Sequence, residues 1–455
     1  MAVAPNGDVF VTNPGAGTVY LVRPGSGGAD PAVFTWASGL YKPHDVVFAS
    51  IGGVTYVYVA EADKIARYTY NSSVTTGQGR QVIISGLPNA STPELGGSYG
   101  HELKNIAIDP SGTLYVSIAS TCNVCASDTQ SNPVRAAIYR YNADGTGAAL
   151  FARGLRNAEG LSIVPGTSDL WVVVNNRDNI AYPFHNSWDT DGTDDYGKVM
   201  QSYVDNHPPD EFTRVQNGGN YGWPFCNPNP DSPSQMDNMP FDRDVEMNAD
   251  GIRLDCTTAT RINKGIQAHS APLGFTFLQN TNVPSAYRDG AIAALHGSWN
   301  RAAKTGYKVI DFPWDPVAQV PGAQIDLVSG WLTGGTSWGR PVDVAVAPDG
   351  GIYISDDQGG AIYKLVYSGS PPPPPTSSIA VIATSCNGFA CSFDGLGSTN
   401  ATSWSWKFGD GATATGATVN HTYAKKGNYT VTLATAPSGP QSSASKSIRC
   451  NPKGC

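Results

Sequence analysis

The sequence is poor in charged residues and has no long apolar run. Charged residues make up only 15% of the 455 residues, and methionine occurs 5 times. A coiled coil or a helical solenoid would need far more Ala, Glu, Lys and Leu, so both are excluded. No apolar run approaches the roughly 20 residues that cross a bilayer, so we expect no membrane span.

Basic residues are in deficit as well. The chain has 29 Lys and Arg residues against 37 Asp and Glu residues, which gives a formal net charge of −8. We therefore expect no basic patch that could neutralise phosphates, and this argues against nucleic acid as a partner. Glycine and proline are instead plentiful, with 51 and 33 residues, as expected of a strand-rich chain with many turns.

The cysteines occur in close pairs: Cys122/Cys125, Cys226/Cys256, Cys386/Cys391 and Cys450/Cys455. The first pair has the spacing of a zinc half-site or a redox pair, but no second Cys-x-x-Cys or His-x3-His matches it. We therefore favour local disulfides formed in an oxidising compartment. No signal peptide precedes Met1, so we expect that an export signal was removed or that the start is truncated, and that the protein is periplasmic or secreted.

One hairpin pattern recurs along residues 1–367. Clear copies lie at 1–13, 105–118 and 343–357, and degenerate copies lie at 45–68, 160–176 and 274–297. Each copy has an apolar strand, a tight turn and a second apolar strand with period-2 hydrophobicity. Six such repeats predict an all-β, six-bladed β-propeller, which protects its sheet edges by closing a ring. Two stacked sandwiches are the alternative, but they do not require a sixfold recurrence.

The composition changes after Tyr367. Residues 368–377 include Pro371 to Pro375 and predict a stiff, extended linker. Residues 378–455 predict a small immunoglobulin-like β-sandwich with a cysteine-containing tail. The segments WKFGDG (406–411) and HTY (421–423) resemble the PKD domain. That resemblance implies a module that spaces or attaches an extracellular enzyme, with contacts to polysaccharide or protein.

Cationic and imidazole residues stand near the start of several repeats. They are His44, His101, Arg156 with Asn157 and Glu159, His269 and Arg340, and the loop with His296, Asn300 and Arg301 follows a second strand. Because a propeller gathers such loops around a central funnel, we expect them to line one site. Convergent arginines indicate a small polyanionic ligand, since guanidinium binds carboxylates bidentately. The imidazoles offer a general base.

These residues lie in motifs that resemble, in order, the soluble PQQ-dependent sugar dehydrogenases and their sorbosone dehydrogenase-like, or aldose dehydrogenase, branch. The motifs are TCNVC (121–125), GLRNAEGL (154–161), LWVVVNNRD (170–178), PPDEF (208–212), GGNYGWP (218–224), HSAPLGF (269–275), HGSWNR (296–301) and GRPVDVAVAPDG (339–350). The resemblance covers essentially residues 1–367. It implies a quinoprotein that oxidises an aldose or a sugar aldehyde and passes electrons to an external acceptor. The implied cofactors are PQQ, which carries three carboxylates and an ortho-quinone, and Ca²⁺.

The resemblance also implies roles for individual residues. His101 would be the general base that takes the sugar hydroxyl proton as hydride moves to the quinone, and Arg156 would stabilise the negative charge that develops there. The backbone carbonyls of Asn176 and Arg177 would coordinate the active-site Ca²⁺. An Asp orients the base in relatives, and Ser120 falls at that position here. The implied cofactor-binding residues are Arg156, Asn157, Glu159, His269, Asn300, Arg301 and Arg340.

A separate acidic segment alternates carboxylates around a glycine. Asp189, Asp191 and Asp194 provide the oxygen-rich pattern of a calcium loop, so the sequence predicts a peripheral Ca²⁺ site. A solvated acidic loop is the alternative, because the glutamate that closes an EF-hand is missing.

Two tryptophans, Trp223 and Trp299, lie within the motifs quoted above. Side chains of this size bury a large apolar area, so we expect both to pack between blades. Stacking on substrate is the alternative for each.

Two other functions compete with the redox assignment. A metal-dependent lactonase or esterase would need several carboxylate or Asn side chains around one ion, whereas the predicted funnel is mainly Arg and His. A non-catalytic, glycan-binding propeller is compatible with the PKD-like module. The sugar, the electron acceptor and the oligomeric state are not encoded in any motif of the chain.

Overall fold

The computed structural model describes residues 1–25, 29–279, 281–283, 287–315, 317–366, 378, 380–398, 401, 403–436, 442–452 and 454–455. The chain separates into two units, Met1–Tyr367 and Ser368–Cys455. The proline-rich linker predicted at 368–377 lies outside the described residues. Within the described ranges, no helix is long and apolar enough to cross a membrane.

Six antiparallel sheets follow one another along the first unit, and we number them blades 1 to 6 in chain order. The strands of blades 1 to 3 are Ala2–Val3, Val9–Asn13, Thr18–Arg23 and Ala32–Ala37; Asp45–Ile51, Val54–Ala60, Lys64–Thr69 and Gln78–Ser85; Ile106–Ile108, Thr113–Ile118, Ala137–Asn142 and Ala149–Arg153. The strands of blades 4 to 6 are Asn157–Ile163, Leu170–Asn175, Asp210–Arg214, Ile262–Ile266 and Asp237–Met239; Pro272–Phe277, Ala291–Leu295, Lys308–Phe312 and Ile325–Val328; Pro341–Val346, Ile352–Asp356 and Ala361–Leu365.

Short elements decorate these blades. Two-stranded pairs join Cys226–Pro228 with Phe241–Arg243, Trp314–Asp315 with Val320–Pro321, and Leu332–Thr333 with Thr336–Ser337. The helices that the structure describes are one α-helical turn, Gln201–Val204, and the 3₁₀ turns Pro93–Leu95, Ala126–Gln130 and Cys256–Thr258. Helix is therefore confined to the loops, and the blades are purely β.

Alternation along the strands explains how the blades pack. In the second strand of blade 4, Trp171 and Val173 face the apolar cluster shared with blade 5, whereas Val172 and Val174 face the cluster shared with blade 3. A strand buried on both faces is a continuous apolar run, which is the pattern of the LWVVV segment. Each blade is thus held between two neighbouring cores.

Side-chain packing closes the ring between blade 6 and blade 1. Val9 of blade 1 packs with Ala347 and Tyr353 of blade 6, and this cluster completes a set of six, one at each junction between blades. Every described strand of blade 6 comes from 341–365, and every described strand of blade 1 comes from 2–37. The predicted six-bladed β-propeller is therefore confirmed.

The second unit is a β-sandwich. One sheet contains Ala383–Asn387, Ala390–Asp394 and Thr418–Thr422, and the other contains Ser403–Lys407, Thr413–Thr415, Gly427–Ala436 and Ser443–Cys450. Trp406, Phe408 and Tyr423 from the two quoted motifs are buried in its core with Phe393 and Leu433. The predicted immunoglobulin-like sandwich is confirmed.

All eight cysteines are paired in disulfides between sequence neighbours: Cys122–Cys125, Cys226–Cys256, Cys386–Cys391 and Cys450–Cys455. The first bond closes the TCNVC loop, and the second ties two segments of the insertion in blade 4. The zinc alternative for Cys122 and Cys125 is therefore wrong, because cysteines joined in a disulfide have no thiolate to coordinate zinc.

Candidate functional site

Two adjoining cavities share His101. The first, which we call the arginine cavity, has a volume of about 180 Å³ and is lined by His101, Arg156, Asn157, Asn175, Asn176, Asp178, Asp210, His269, Ala271 and Trp299. The second, which we call the glutamate cavity, has a volume of about 340 Å³ and is lined by Pro14, Gly15, Lys42, Tyr99, Gly100, His101, Glu102, Leu103 and Glu159. Both are rich in polar and ionisable side chains.

Strand direction brings these residues to one end of blade 4. Asn157 begins the first strand, Asn175 ends the second, and Asp210 begins the third. Because neighbouring strands are antiparallel, these three positions lie at the same edge of the sheet. His269 and Ala271 reach the same place from the turn that precedes the first strand of blade 5. The funnel predicted from the starts of the repeats is therefore built largely by blades 3 to 5.

His101 is held in one tautomer. Its Nδ1 lies 2.9 Å from the carbonyl oxygen of Ser120, and the Ser120 Oγ is 3.0 Å away. A carbonyl only accepts, so Nδ1 carries the proton and Nε2 keeps its lone pair. Burial and the positive charge of Arg156 lower the pKa of His101 below the usual imidazole value. The ring is therefore neutral at neutral pH, with Nε2 available to accept a proton.

Arg156 is buried beside His101 and is saturated with hydrogen bonds. Its Nε donates to the Asn123 carbonyl at 3.0 Å, and one terminal nitrogen donates to the carbonyls of Asn176 and Asn175 at 2.8 and 3.3 Å. The other terminal nitrogen donates to Asn123 Oδ1 at 3.1 Å and lies 3.7 Å from the Asp178 carboxylate. Burial lowers the pKa of Arg156 to about 10, so the guanidinium remains charged.

His269 supplies a second cation to the arginine cavity. Its Nε2 donates to the carbonyls of Val204 and His207, at 2.8 and 3.2 Å, and its Nδ1 lies 3.5 Å from the Asp178 carboxylate. Burial opposes the charge, but Asp178 and Asp210 outweigh it and raise the pKa of His269. The cavity thus joins two cations, Arg156 and His269, with two carboxylates.

The side chains of Arg177, Arg301 and Arg340 bond to three different sets of partners. The side chain of Arg177 forms ion pairs with Asp244 and Glu246, and this residue does not line the arginine cavity. Arg301 donates to the carbonyls of Ala303 and Ala268, at 3.0 and 3.5 Å. Arg340 donates from Nε to the His296 carbonyl at 3.2 Å, and its terminal nitrogens bond to no described residue. Of the three arginines predicted to bind the cofactor, only Arg156 lines the arginine cavity.

Asn300 is the clearest unsatisfied group among the predicted residues. It is 94% buried, since only 6% of its surface is exposed, and its Nδ2 has no hydrogen-bond partner among the described residues. Its neighbour Trp299 lines the arginine cavity. A buried amide without a partner costs free energy, which favours a ligand that accepts from it.

Glu159 is the centre of a separate polar network at the glutamate cavity. His44 Nε2 lies 3.2 Å from its carboxylate, and the side-chain amides of Asn157 and Asn105 donate to it at 2.8 and 3.1 Å. Burial opposes ionisation, but these bonds prevail and lower the pKa of Glu159 to about 2. The same contact raises the pKa of His44 against the effect of burial. Asn157 and Glu159 therefore face each other, and Glu159 lines the second cavity.

The peripheral acidic loop uses a different set of residues from the one predicted. Carboxylate oxygens of Asp189, Asp191 and Asp195 lie within 4.8 Å of one another. Asp194 instead accepts from His185 Nδ1 at 2.9 Å and from the Tyr196 amide at 3.0 Å. Asp195 accepts from Lys198 Nζ at 2.9 Å, so an ammonium already offsets part of the charge. The peripheral calcium site stays a prediction.

The two tryptophans of the motifs differ in burial. Trp223 is buried and donates from Nε1 to the Asn123 carbonyl at 3.2 Å, as expected of a packing residue. Trp299 is 72% exposed and lines the arginine cavity, so the expectation of blade packing is wrong for this residue. Its neighbours are anchored by backbone hydrogen bonds that hold the indole outside the core.

Four residues of this site lie within the family motifs but were not among the predicted site residues: Asn123, Asn175, Asp178 and Asp210. Asn123 bridges Arg156 to Asp178, because its Oδ1 accepts from the Asp178 amide at 2.8 Å and its Nδ2 donates to the Asp178 carbonyl at 2.9 Å. Asp210 accepts from the amides of Asn176 and Ala271, both at 2.9 Å. Burial raises the pKa of Asp210 to about 6. The sequence feature that could have identified residues such as Asn175 and Asp210 is a polar side chain at the end of a strand within one of the motifs.

Comparison with known proteins gives two family matches. A family model described as TrAA12-like matches residues 43–368, and a PKD domain model matches residues 372–451. An uncharacterized protein of Borreliella burgdorferi is 24% identical over 373 residues, which cover 80% of this chain and 84% of the relative.

Solved structures match the first unit. The holo form of the PQQ domain of a pyranose dehydrogenase from Coprinopsis cinerea is 19% identical, with a TM-score of 0.61 and coverage of 79% of this chain and 90% of that chain. The iodide structure of a Trichoderma reesei carbohydrate-active enzyme of family AA12 is 18% identical, with the same coverage and a TM-score of 0.61. At these identities the structures establish a shared fold.

The pairing of His44 with Glu159 can be tested by titration. In Glu159→Gln, we expect the pKa of His44 to fall below the usual imidazole value, because burial then acts without the carboxylate that stabilises the cation. NMR titration of the histidine ring protons measures this. His207, whose pKa is lowered by burial and whose partners are Tyr203 and Asp231, should not move. An unchanged pKa at His44 would show that the contact does not stabilise its charge.

Proposed function

The chain belongs to the TrAA12-like family and carries a PKD domain, and on this basis we propose that it is a PQQ-dependent sugar dehydrogenase. The family resemblance predicted from the motifs is confirmed by this membership. The observation that carries the proposal is the arginine cavity, where a neutral imidazole, His101, faces the same space as the cations Arg156 and His269. The proposed substrates are aldoses or sugar aldehydes of the sorbosone type.

Two residues of the arginine cavity, together with two donors on and beside the Trp299 loop that do not line the cavity, fit a ligand that carries several carboxylates. Arg156 and His269 are cations at its wall. Asn300 holds a buried amide without a partner, and Arg340 has terminal nitrogens that bond to no described residue. The Asn300 amide and the Arg340 terminal nitrogens are donors that a carboxylate oxygen would satisfy, whereas Arg156, whose N–H groups already bond to the protein, contributes its positive charge. We therefore propose Arg156, Asn157, His269, Asn300 and Arg340 as the groups that hold PQQ, with weaker support for Glu159 and Arg301.

The carboxylates of the same cavity fit a calcium ion. Asp178 and Asp210 would repel a polycarboxylate, and a divalent cation offsets that repulsion because it attracts both. Ca²⁺ prefers hard oxygen ligands, which carboxylates and backbone carbonyls provide. We keep the carbonyl oxygens of Asn176 and Arg177 as the proposed calcium ligands, and we add Asp178 as the adjacent carboxylate.

In the proposed reaction, His101 is the general base. Its Nε2 accepts the proton of the sugar hydroxyl, and the Ser120 carbonyl stabilises the imidazolium through its bond to Nδ1. Bound PQQ would supply an ortho-quinone as acceptor for the hydride, that is, the hydrogen of the sugar carbon with its two electrons. Arg156 places a fixed positive charge where negative charge develops, and its five N–H groups are oriented before the reaction begins. The lowered pKa of His101 keeps the base unprotonated at neutral pH.

Metal-dependent lactone hydrolysis is less well supported. Such an enzyme needs several ligand atoms converging on one ion. Within the described part of the chain, the one group of three His, Cys, Asp or Glu ligand atoms within 4.8 Å is Asp189, Asp191 and Asp195, which lies outside both cavities.

The proposal includes the cellular location of the protein and its partners. Four disulfides favour an oxidising compartment, so we propose a periplasmic or secreted location. Electrons would pass to an external acceptor. The PKD domain would contact polysaccharide or protein.

Reconstitution tests the function. Addition of PQQ and Ca²⁺ to the purified protein should produce quinone absorbance and sugar-dependent dye reduction. Arg156→Gln should weaken PQQ binding about 10- to 100-fold, since a charge-assisted hydrogen bond contributes about 1.5–3 kcal/mol. Arg261→Gln is the matched control, because Arg261 is exposed and lines neither cavity. No binding at micromolar PQQ would contradict the proposal, and lactone hydrolysis that EDTA abolishes and PQQ does not affect would favour the lactonase.

The role of His101 has its own test. His101→Ala should retain PQQ affinity and lose turnover about 10²- to 10⁴-fold, the usual contribution of a positioned general base. Steady-state kinetics and a PQQ titration on the same variant separate the two effects. His185→Ala, at an exposed histidine outside both cavities, should behave as the wild type. Unchanged turnover in His101→Ala would remove this residue from the mechanism.

A further inference from the structure

Trp299 is an exposed indole between two buried neighbours. Ser298 is 3% exposed, Trp299 is 72% exposed, and Asn300 is 6% exposed. The indole lines the arginine cavity together with His101 and Asp178. A residue that lines a cavity and is still so exposed lies at the opening of that cavity. A large aromatic side chain in this position gives up the free energy of burial, which favours a role in binding.

The backbone on the N-terminal side of Trp299 is fixed. The amides of His296 and Gly297 donate to the carbonyls of Ala271 and Ser270, both at 2.9 Å. Gly297 has φ of +104°, and a Cβ at this position would lie 2.4 Å from the Tyr307 ring, so only glycine allows this approach. The two residues that precede Ser298 are therefore held in place by the backbone of the neighbouring segment.

The loop is also tied to the segment that follows it. The Ser298 amide donates to the Thr305 carbonyl at 2.9 Å, and the Tyr307 hydroxyl donates to the Ser298 carbonyl at 2.9 Å. Together these bonds hold the backbone that leads into Trp299. A loop whose backbone is already ordered loses less conformational entropy when a ligand covers its side chain.

An exposed indole beside carboxylates matches the chemistry of a sugar. One face of a pyranose ring presents C–H groups that pack on an aromatic surface. A ring that reacts at His101 must lie beside that residue and the bound cofactor, whereas the indole of Trp299 is largely exposed to solvent. The surface of Trp299 is therefore available to a part of the substrate that extends outward.

We propose that Trp299 is a platform for the sugar ring next to the reacting one, so that the enzyme prefers oligosaccharides to monosaccharides. The inference rests on the proposed dehydrogenase function and adds a specificity-determining residue to it. The platform recognises a second pyranose ring through packing rather than through charge, so it does not bear on PQQ binding.

Kinetics on paired substrates test this platform. We would measure kcat/KM for cellobiose, maltose and lactose against glucose and galactose. In Trp299→Ala, the disaccharide values should fall about tenfold through KM, the order of effect of one lost aromatic stack, while the monosaccharide values stay unchanged. Trp299→Phe should restore most of the loss. Phe184→Ala, at an exposed aromatic residue outside both cavities, is the control and should change neither class.

Other outcomes would overturn the platform. An equal loss on monosaccharides and disaccharides would mean that the indole contacts the reacting ring, and a loss of PQQ affinity in Trp299→Ala would mean that it holds the cofactor. If the wild type reduced no dye with any sugar, the dehydrogenase function would fail. Saturation-transfer NMR with cellobiose would still test the platform. Binding to the wild type that is lost in Trp299→Ala would support it, and the absence of binding to the wild type would refute it.

Discussion

A buried guanidinium is the constraint on which the site depends. Arg156 lies in the protein interior, where an unpaired charge is costly, so the surrounding loops must supply acceptors for its N–H groups. They do so through the Asn123 side chain and the carbonyls of Asn123, Asn175 and Asn176. These partners come from two blades, so Arg156 connects the TCNVC loop of blade 3 to the strand end of blade 4. Burial and the charge of Arg156 together lower the pKa of His101.

The charges around Arg156 form two groups with different properties. On one side, Asp178 and Asp210 raise the pKa of His269 against the effect of burial, and Arg156 adds a positive charge to the same cavity. On the other side, Glu159 is strongly ionised and is neutralised locally by His44. His101 lies between the two groups and lines both cavities. An imidazole in this position can face one ligand in each cavity.

The fold and the positions of the principal residues could be predicted from the sequence, because both follow from local pattern. Recurrent hairpins define the blades, and residues at strand starts such as His101 and Arg156 reach the funnel by strand direction alone. Side-chain orientation could not be predicted where distant segments compete. Arg177 pairs with Asp244 and Glu246, which an insertion brings from almost seventy residues away. The backbone before Trp299 depends on the close approach of Gly297 to the Tyr307 ring. Hydrophobic periodicity in the sequence does not predict such a contact.

The central claim is that the arginine cavity binds a polycarboxylate quinone against His101 and Arg156. A crystal structure of the protein soaked with PQQ and Ca²⁺ tests this most directly. We expect density for a tricyclic quinone in that cavity, with carboxylates at Asn300 or Arg340 and the His101 Nε2 facing the ligand. Density for PQQ elsewhere on the propeller, or an unchanged cavity at saturating cofactor, would contradict the claim.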